Sequence, residues 1–190
     1  MVSIGGPWVM LLGAAGSFAV CALLAASLRR RLGRVRAWSL ALLVWSIVVI
    51  GLVTLVPANG APGIIPADEA QTTCSWDLGG PAPDGFWIFS GGQRLLNTAL
   101  FVPAGVFWAV LVARRRTWWL AGVGVLLLAA YSAGIERTQL ELARLDRACD
   151  VTDVVDNTTG AVIGVVIGLS LAASAWAGGR GRAWIRDAGR

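Results

Sequence analysis

Five apolar stretches, each about as long as a membrane-crossing helix and each closed by arginines, a proline or a polar segment, leave this 190-residue chain few ways to fold. A hydrocarbon core about 30 Å thick is crossed by roughly 20 helical residues. Within lipid the backbone must satisfy its own hydrogen bonds, which a lone apolar segment does only as an α-helix. The runs therefore predict an all-α, polytopic membrane helix bundle: a single membrane domain over 1–190 with five transmembrane helices at about 8–28, 37–56, 95–113, 117–136 and 153–177. Composition agrees, since 56% hydrophobic and 14% charged residues exceed the roughly 45–50% apolar share of soluble domains.

All sixteen basic residues are arginine, and their placement sets the expected orientation. Twelve fall in three blocks (Arg29, Arg30, Arg31, Arg34 and Arg36; Arg114, Arg115 and Arg116; Arg180, Arg182, Arg186 and Arg190). The opposite side keeps Arg94, Arg137, Arg144 and Arg147, together with ten of the eleven carboxylates. Arginine-rich connections stay cytoplasmic, so the pattern predicts the N-terminus outside and the C-terminus cytoplasmic, in a multi-pass protein of the cell membrane. The first run is not expected to be a cleaved signal, because its basic block follows the run rather than preceding it. The net charge of +5 does not point to nucleic acid, which needs a basic face with groove-reading or stacking elements.

The segment 57–92 carries five prolines (57, 62, 66, 81 and 83) and is expected to be an irregular outer loop, with Phe86, Trp87 and Phe89 near the headgroups. In the third helix Pro103 removes a backbone donor from mid-span and predicts a kink, with Gly105 allowing close packing. Trp118 and Trp119 read as interfacial anchors at the start of the fourth helix. Of the three cysteines, Cys21 reads as a small packing residue within the first helix. Cys74 and Cys149 fall in two separate outer segments, where disulfides persist, so a bridge between them is expected. Two unpaired thiols are the alternative.

Residues 136–160, ERTQLELARLDRACDVTDVVDNTTG, hold most of the polar chemistry. On a continuous helix Asp150, Asp153, Asn157, Gly160, Gly164 and Gly168 share a stripe about 80° wide. Its lower part, G-x-x-x-G-x-x-x-G, lets another helix approach closely, so the polar upper part is expected to face the bundle. Glu136 and Gln139 share a face of the fourth helix, with Ser132 one turn below Glu136. If the third, fourth and fifth helices pack together, Arg94, Asn97, Glu136, Gln139, Arg147, Asp150, Asp153 and Asn157 meet at one level as an outward-facing polar pocket. Ionisable groups at membrane depth are normally paired or functional. The plainer alternative makes Asp150 a helix cap, Asp153 a first-turn charge and Glu136 the partner of an arginine.

No histidine exists, which removes the usual zinc sites and His-based triads. Asp150, Asp153 and Asp156 form a D-x-x-D-x-x-D run that can offer oxygen ligands to Mg²⁺ beside a diphosphate. Asp156, however, is expected to point about 60° away from the stripe of its companions. No metal, no cofactor and no catalytic residue is assigned. Asn157-Thr158-Thr159 matches a glycosylation sequon but abuts the membrane, where a glycan would be crowded.

Three segments, NTALFVPAG (97–105), SAGIERTQ (132–139) and RACDVTDVVDNTTGAVIG (147–164), resemble the VanZ-like family of bacterial membrane proteins named for teicoplanin resistance. The resemblance covers about 37–177. Its R-x-x-D-x-x-D-x-x-x-N-T-x-G pattern is matched by Arg147, Asp150, Asp153, Asn157, Thr158 and Gly160, and its E-x-x-Q by Glu136 and Gln139. Asp156 and Cys149 depart from it, standing where apolar residues are usual. The resemblance implies a cell-envelope role. The function expected is reduced glycopeptide access through the outer pocket, with a membrane lipid, a cell-wall precursor or an envelope protein as partner. The alternative is a metal-dependent enzyme acting on a lipid-linked diphosphate. A transporter would need a polar path to the cytoplasm and an inverted repeat, and neither is evident.

Overall fold

The computed structural model of the chain describes residues 5–56, 73–76, 92–114, 116–141 and 149–177, with Gln93 described in its backbone alone. Five helices account for nearly all of them: α1 (Pro7–Leu32), α2 (Arg34–Leu55), α3 (Gly92–Val112), α4 (Leu120–Glu141) and α5 (Val151–Ala177). All five are long and apolar enough to cross a membrane. Many large apolar side chains point away from the protein, among them Leu12, Leu23, Leu96, Leu126, Val166 and Leu171. In water that surface would be untenable, whereas lipid tails solvate it as well as other leucines do.

α1 and α2 form a hairpin whose joint is shorter than the arginine block suggests. Both helices run into the block and meet at Gly33, whose φ of 79° lies in the left-handed region. Its N–H closes α1 on Arg29 O, and its carbonyl accepts from Ala37 N in α2. Arginine is a good helix former, and Arg29, Arg30 and Arg31 in the last turn of α1 complement the negative end of its dipole. The seam is built from small residues, Cys21, Ala25 and Ala41, and is pinned by Trp45 Nε1 donating to Ala14 O at 2.9 Å.

α4 begins later than its apolar run predicts. Thr117 N–H bonds Arg114 O and its hydroxyl bonds Val112 O, so Trp118 and Trp119 belong to a turn that precedes Leu120. Its other end extends beyond Glu136 to Glu141, where Arg137 and Glu141 form an exposed i,i+4 pair.

α3 and α5 are parallel neighbours, with α4 as the return stroke between them. Arg94 meets Asp156, and further down Gly160 faces Thr98, Gly164 faces Val102 and Gly168 faces Val106. Every pairing has the same offset of 62 residues and advances by four, the spacing of one ridge on a helix. A methyl group on Gly160 or Gly164 would fall on the carbonyl oxygen of Thr98 or Val102, and one on Gly168 would meet Val106 O at 2.6 Å. On the other side of the seam, a methyl on Gly105 would fall on Ala161 O. Without a hydrophobic drive in lipid, close backbone contact supplies the dispersion that holds such a pair. It also admits Cα–H···O contacts worth about 0.5–1 kcal/mol each. Pro103 lies inside α3 without ending it.

Leu43 and Ile50 of α2, Phe101 and Ala104 of α3, Leu128 and Ile135 of α4 and Ala161 of α5 form the central apolar cluster. Tyr131 reaches across it, its hydroxyl donating to Ile47 O at 2.9 Å.

Candidate functional site

One turn from that cluster, toward the end where α5 begins, the four helices change character together. Ile50 is followed by Thr54, Phe101 is preceded by Asn97, Ile135 is followed by Gln139, and Ala161 is preceded by Asn157, each four residues away. Residues four apart lie over one another on a helix. The central cluster is therefore roofed by one polar layer. Its bonds tie the helices to each other: Gln139 Nε2 donates to Thr54 O at 2.9 Å, and Asn157 Nδ2 to Ser132 Oγ at 2.9 Å.

A charged pair flanks the layer on the α3–α5 seam. Arg94 Nε and Nη2 donate to Asp156 Oδ2 and Oδ1 at 2.9 and 3.0 Å, a bidentate fork that occupies both carboxylate oxygens. Asp156 is wholly buried and Arg94 nearly so. An isolated charge at this depth would be costly, and the fork compensates both groups. Asp156 lies off the stripe of Asp150, Asp153 and Asn157, as its place on the helix requires, but that flank is covered as well. α3 approaches the flank of α5 that carries Thr152, Asp156 and Gly160, so the carboxylate set aside on a single helix becomes the most buried one described.

Above the layer Asp150 opens α5. Its Oδ1 accepts from Thr152 N at 2.8 Å, the bond of an N-cap, and its own N–H donates to buried Glu136 Oε2 at 3.0 Å. Asp153 stands in the first turn of the helix, half-buried, where negative charge is favoured. Cys74 and Cys149 are joined in a disulfide. Beside it Ser75 N donates to Cys149 O at 3.0 Å and Val151 N to Ser75 O at 3.1 Å, a short parallel bridge between Ser75 and Asp150. The segment 73–76 thus satisfies a first-turn donor of α5 and holds Asp150 over Glu136.

Of the residues expected to form a pocket, Arg94, Glu136, Gln139, Asp150 and Asn157 are drawn into this bonded assembly, directly or through Asp156, Thr54 and Ser132. Asn97 takes its place on the polar layer through its position above Phe101. Arg147 lies outside the described residues, as do the aromatic patch 86–89 and the arginines of the tail. Among the described residues three buried polar atoms of the layer and seam have no partner: Asn97 Nδ2, Thr98 Oγ1 and Asn157 Oδ1. Among the described residues no three Asp, Glu, Cys or His side chains gather as metal ligands would. Thr54, Ser132 and Asp156 are the members that helix-by-helix reading did not place in the site. The clue to Asp156 was a carboxylate at membrane depth, which demands a partner.

No curated protein and no solved structure matches the chain. A protein-family model described as VanZ/LLP1 matches residues 41–172. The match runs from within α2 to the last turns of α5, and so takes in the central cluster, the polar layer and the disulfide while leaving out α1. Covering more than half of the chain, that match shows that this five-helix protein belongs to the VanZ-like family.

Proposed function

We propose that the protein lowers the access of glycopeptide antibiotics such as teicoplanin to the bacterial cell envelope, with its polar layer toward the outer face and engaging an envelope lipid or wall precursor. The reading rests on the family and on one observation: four apolar helices assemble a shared polar layer at a single end of the bundle. Polar groups within a membrane span are costly, and a bundle needing only stability would be served by apolar packing there. Positive charge supports the orientation. The described arginines of the α1–α2 joint and of the α3–α4 turn lie at the end opposite Asp150 and Glu136. A disulfide at the layer's end suits an oxidising compartment.

The test is teicoplanin susceptibility of a glycopeptide-sensitive Gram-positive host. Expression of the wild type is expected to raise the inhibitory concentration several-fold over an empty vector. Glu136→Gln, which keeps the shape but weakens the acceptor for Asp150 N–H, is expected to remove most of that gain at equal protein level. Unchanged susceptibility on expression of the wild type overturns the reading.

A further inference from the structure

The polar layer satisfies most of its members and leaves two amides incomplete. Asn157 is 3% exposed and uses one amide atom on Ser132, leaving Oδ1 without a donor. Exchanging its oxygen and nitrogen would change which atom is unmatched, not that one is. Asn97 Nδ2 is buried and donates to nothing among the described residues. The two residues stand one turn above Phe101 and Ala161, members of one apolar cluster, on parallel neighbouring helices. Thr98, also buried, leaves its hydroxyl unmatched on the same seam. An unmet donor and an unmet acceptor at one level are complementary to a single group that both accepts and donates.

The surrounding charge narrows the guest further. Arg94 is already committed to Asp156, while Glu136, Asp150 and Asp153 add negative charge nearby. A phosphate or carboxylate would be repelled by these groups and finds no uncommitted cation beside them among the described residues. An ammonium offers donors alone, so Asn97 Nδ2 would stay unmatched. A neutral hydroxyl or carboxamide satisfies both ends. Depth agrees: α5 has 27 residues and is about 40 Å long, some 10 Å more than the hydrocarbon core. Asn157 lies six residues into α5, or about 9 Å from its start, and so just inside the hydrocarbon edge if the excess is shared between the two ends. That level adjoins a lipid's glycerol region, which borders the hydrocarbon core.

We infer that the layer between α3 and α5 binds the uncharged hydroxyl-bearing headgroup of a membrane lipid, received between Asn97 Nδ2 and Asn157 Oδ1. The inference rests on the proposed function in naming the chemistry of the same site. The purified full chain, incubated with equal amounts of dioleoylglycerol, dioleoyl phosphatidic acid and dioleoyl dimethylammonium propane, whose protonated amine donates but does not accept, tests it by native mass spectrometry. These lipids differ in headgroup charge. Dioleoylglycerol is expected to be retained about tenfold over either charged lipid, the discrimination of one good hydrogen-bonding group. Asn157→Leu should abolish that preference. Asn97→Asp, which keeps the size but replaces the donor with an acceptor, should abolish it even if Asn157→Leu fails to fold.

Equal retention of all three lipids, or a preference indifferent to Asn97→Asp, overturns the inference. If teicoplanin susceptibility still responds to Glu136→Gln in that case, the inference alone fails. If dioleoylglycerol is selected through Asn97 while susceptibility never changes, it is the glycopeptide reading that fails.

Discussion

Among the described residues Arg94 and Asp156 are the most exacting pair, because each is tolerable at its depth only in the presence of the other. Asp156→Asn leaves a buried guanidinium without its counter-charge and is expected to destabilise the protein by about 3–5 kcal/mol. Arg94→Met combined with Asp156→Leu removes both charges and should recover most of that loss. Unfolding midpoints in detergent report the difference, and a double variant no more stable than the single one would contradict the pairing. An exposed pair behaves otherwise. Breaking Arg137–Glu141, whose side chains are 70% and 60% exposed, is expected to change stability by less than about 0.5 kcal/mol.

The α3–α5 seam makes its prediction at the scale of helices. Alanine is a better helix residue than glycine by about 1 kcal/mol, so Gly122→Ala, with open space around it, should be neutral or stabilising. Gly164→Ala would place its methyl on Val102 O, and the two backbones would have to part. A loss of at least about 2 kcal/mol is expected. Equal effects of the two substitutions would contradict the backbone contact. The glycine stripe was legible in the sequence because its four-residue period belongs to one helix. The five spans were legible for the same kind of reason, each being a local run. Asp156 was not, because its partner lies 62 residues away on a helix that is not its neighbour in sequence. A single helical wheel shows which residues share a face but not which flank the next helix will cover. The cap made by Asp150 was foreseeable only as one of two alternatives, since the choice depends on where α5 begins.

At the scale of the whole molecule the disulfide joins the segment after α2 to the start of α5, across 75 residues that contain α3 and α4. In the chain-entropy account such a link restricts the unfolded chain by up to about 4 kcal/mol. Helices that persist in the unfolded membrane state reduce that figure. Cys149→Ser is expected to lower the unfolding midpoint and abolish the mobility difference between reduced and non-reduced gels. No difference in the wild-type protein would exclude the bridge. The proposed function puts the polar layer and the Cys74–Cys149 disulfide toward the outer face. Labelling of intact cells with a membrane-impermeant maleimide checks that side, using Arg137→Cys at the disulfide end and Arg114→Cys at the other; both positions are exposed and the free Cys21 is buried. Arg137→Cys is expected to label in intact cells and Arg114→Cys only after permeabilisation. The reverse pattern would place the layer on the cytoplasmic side and contradict the proposed function.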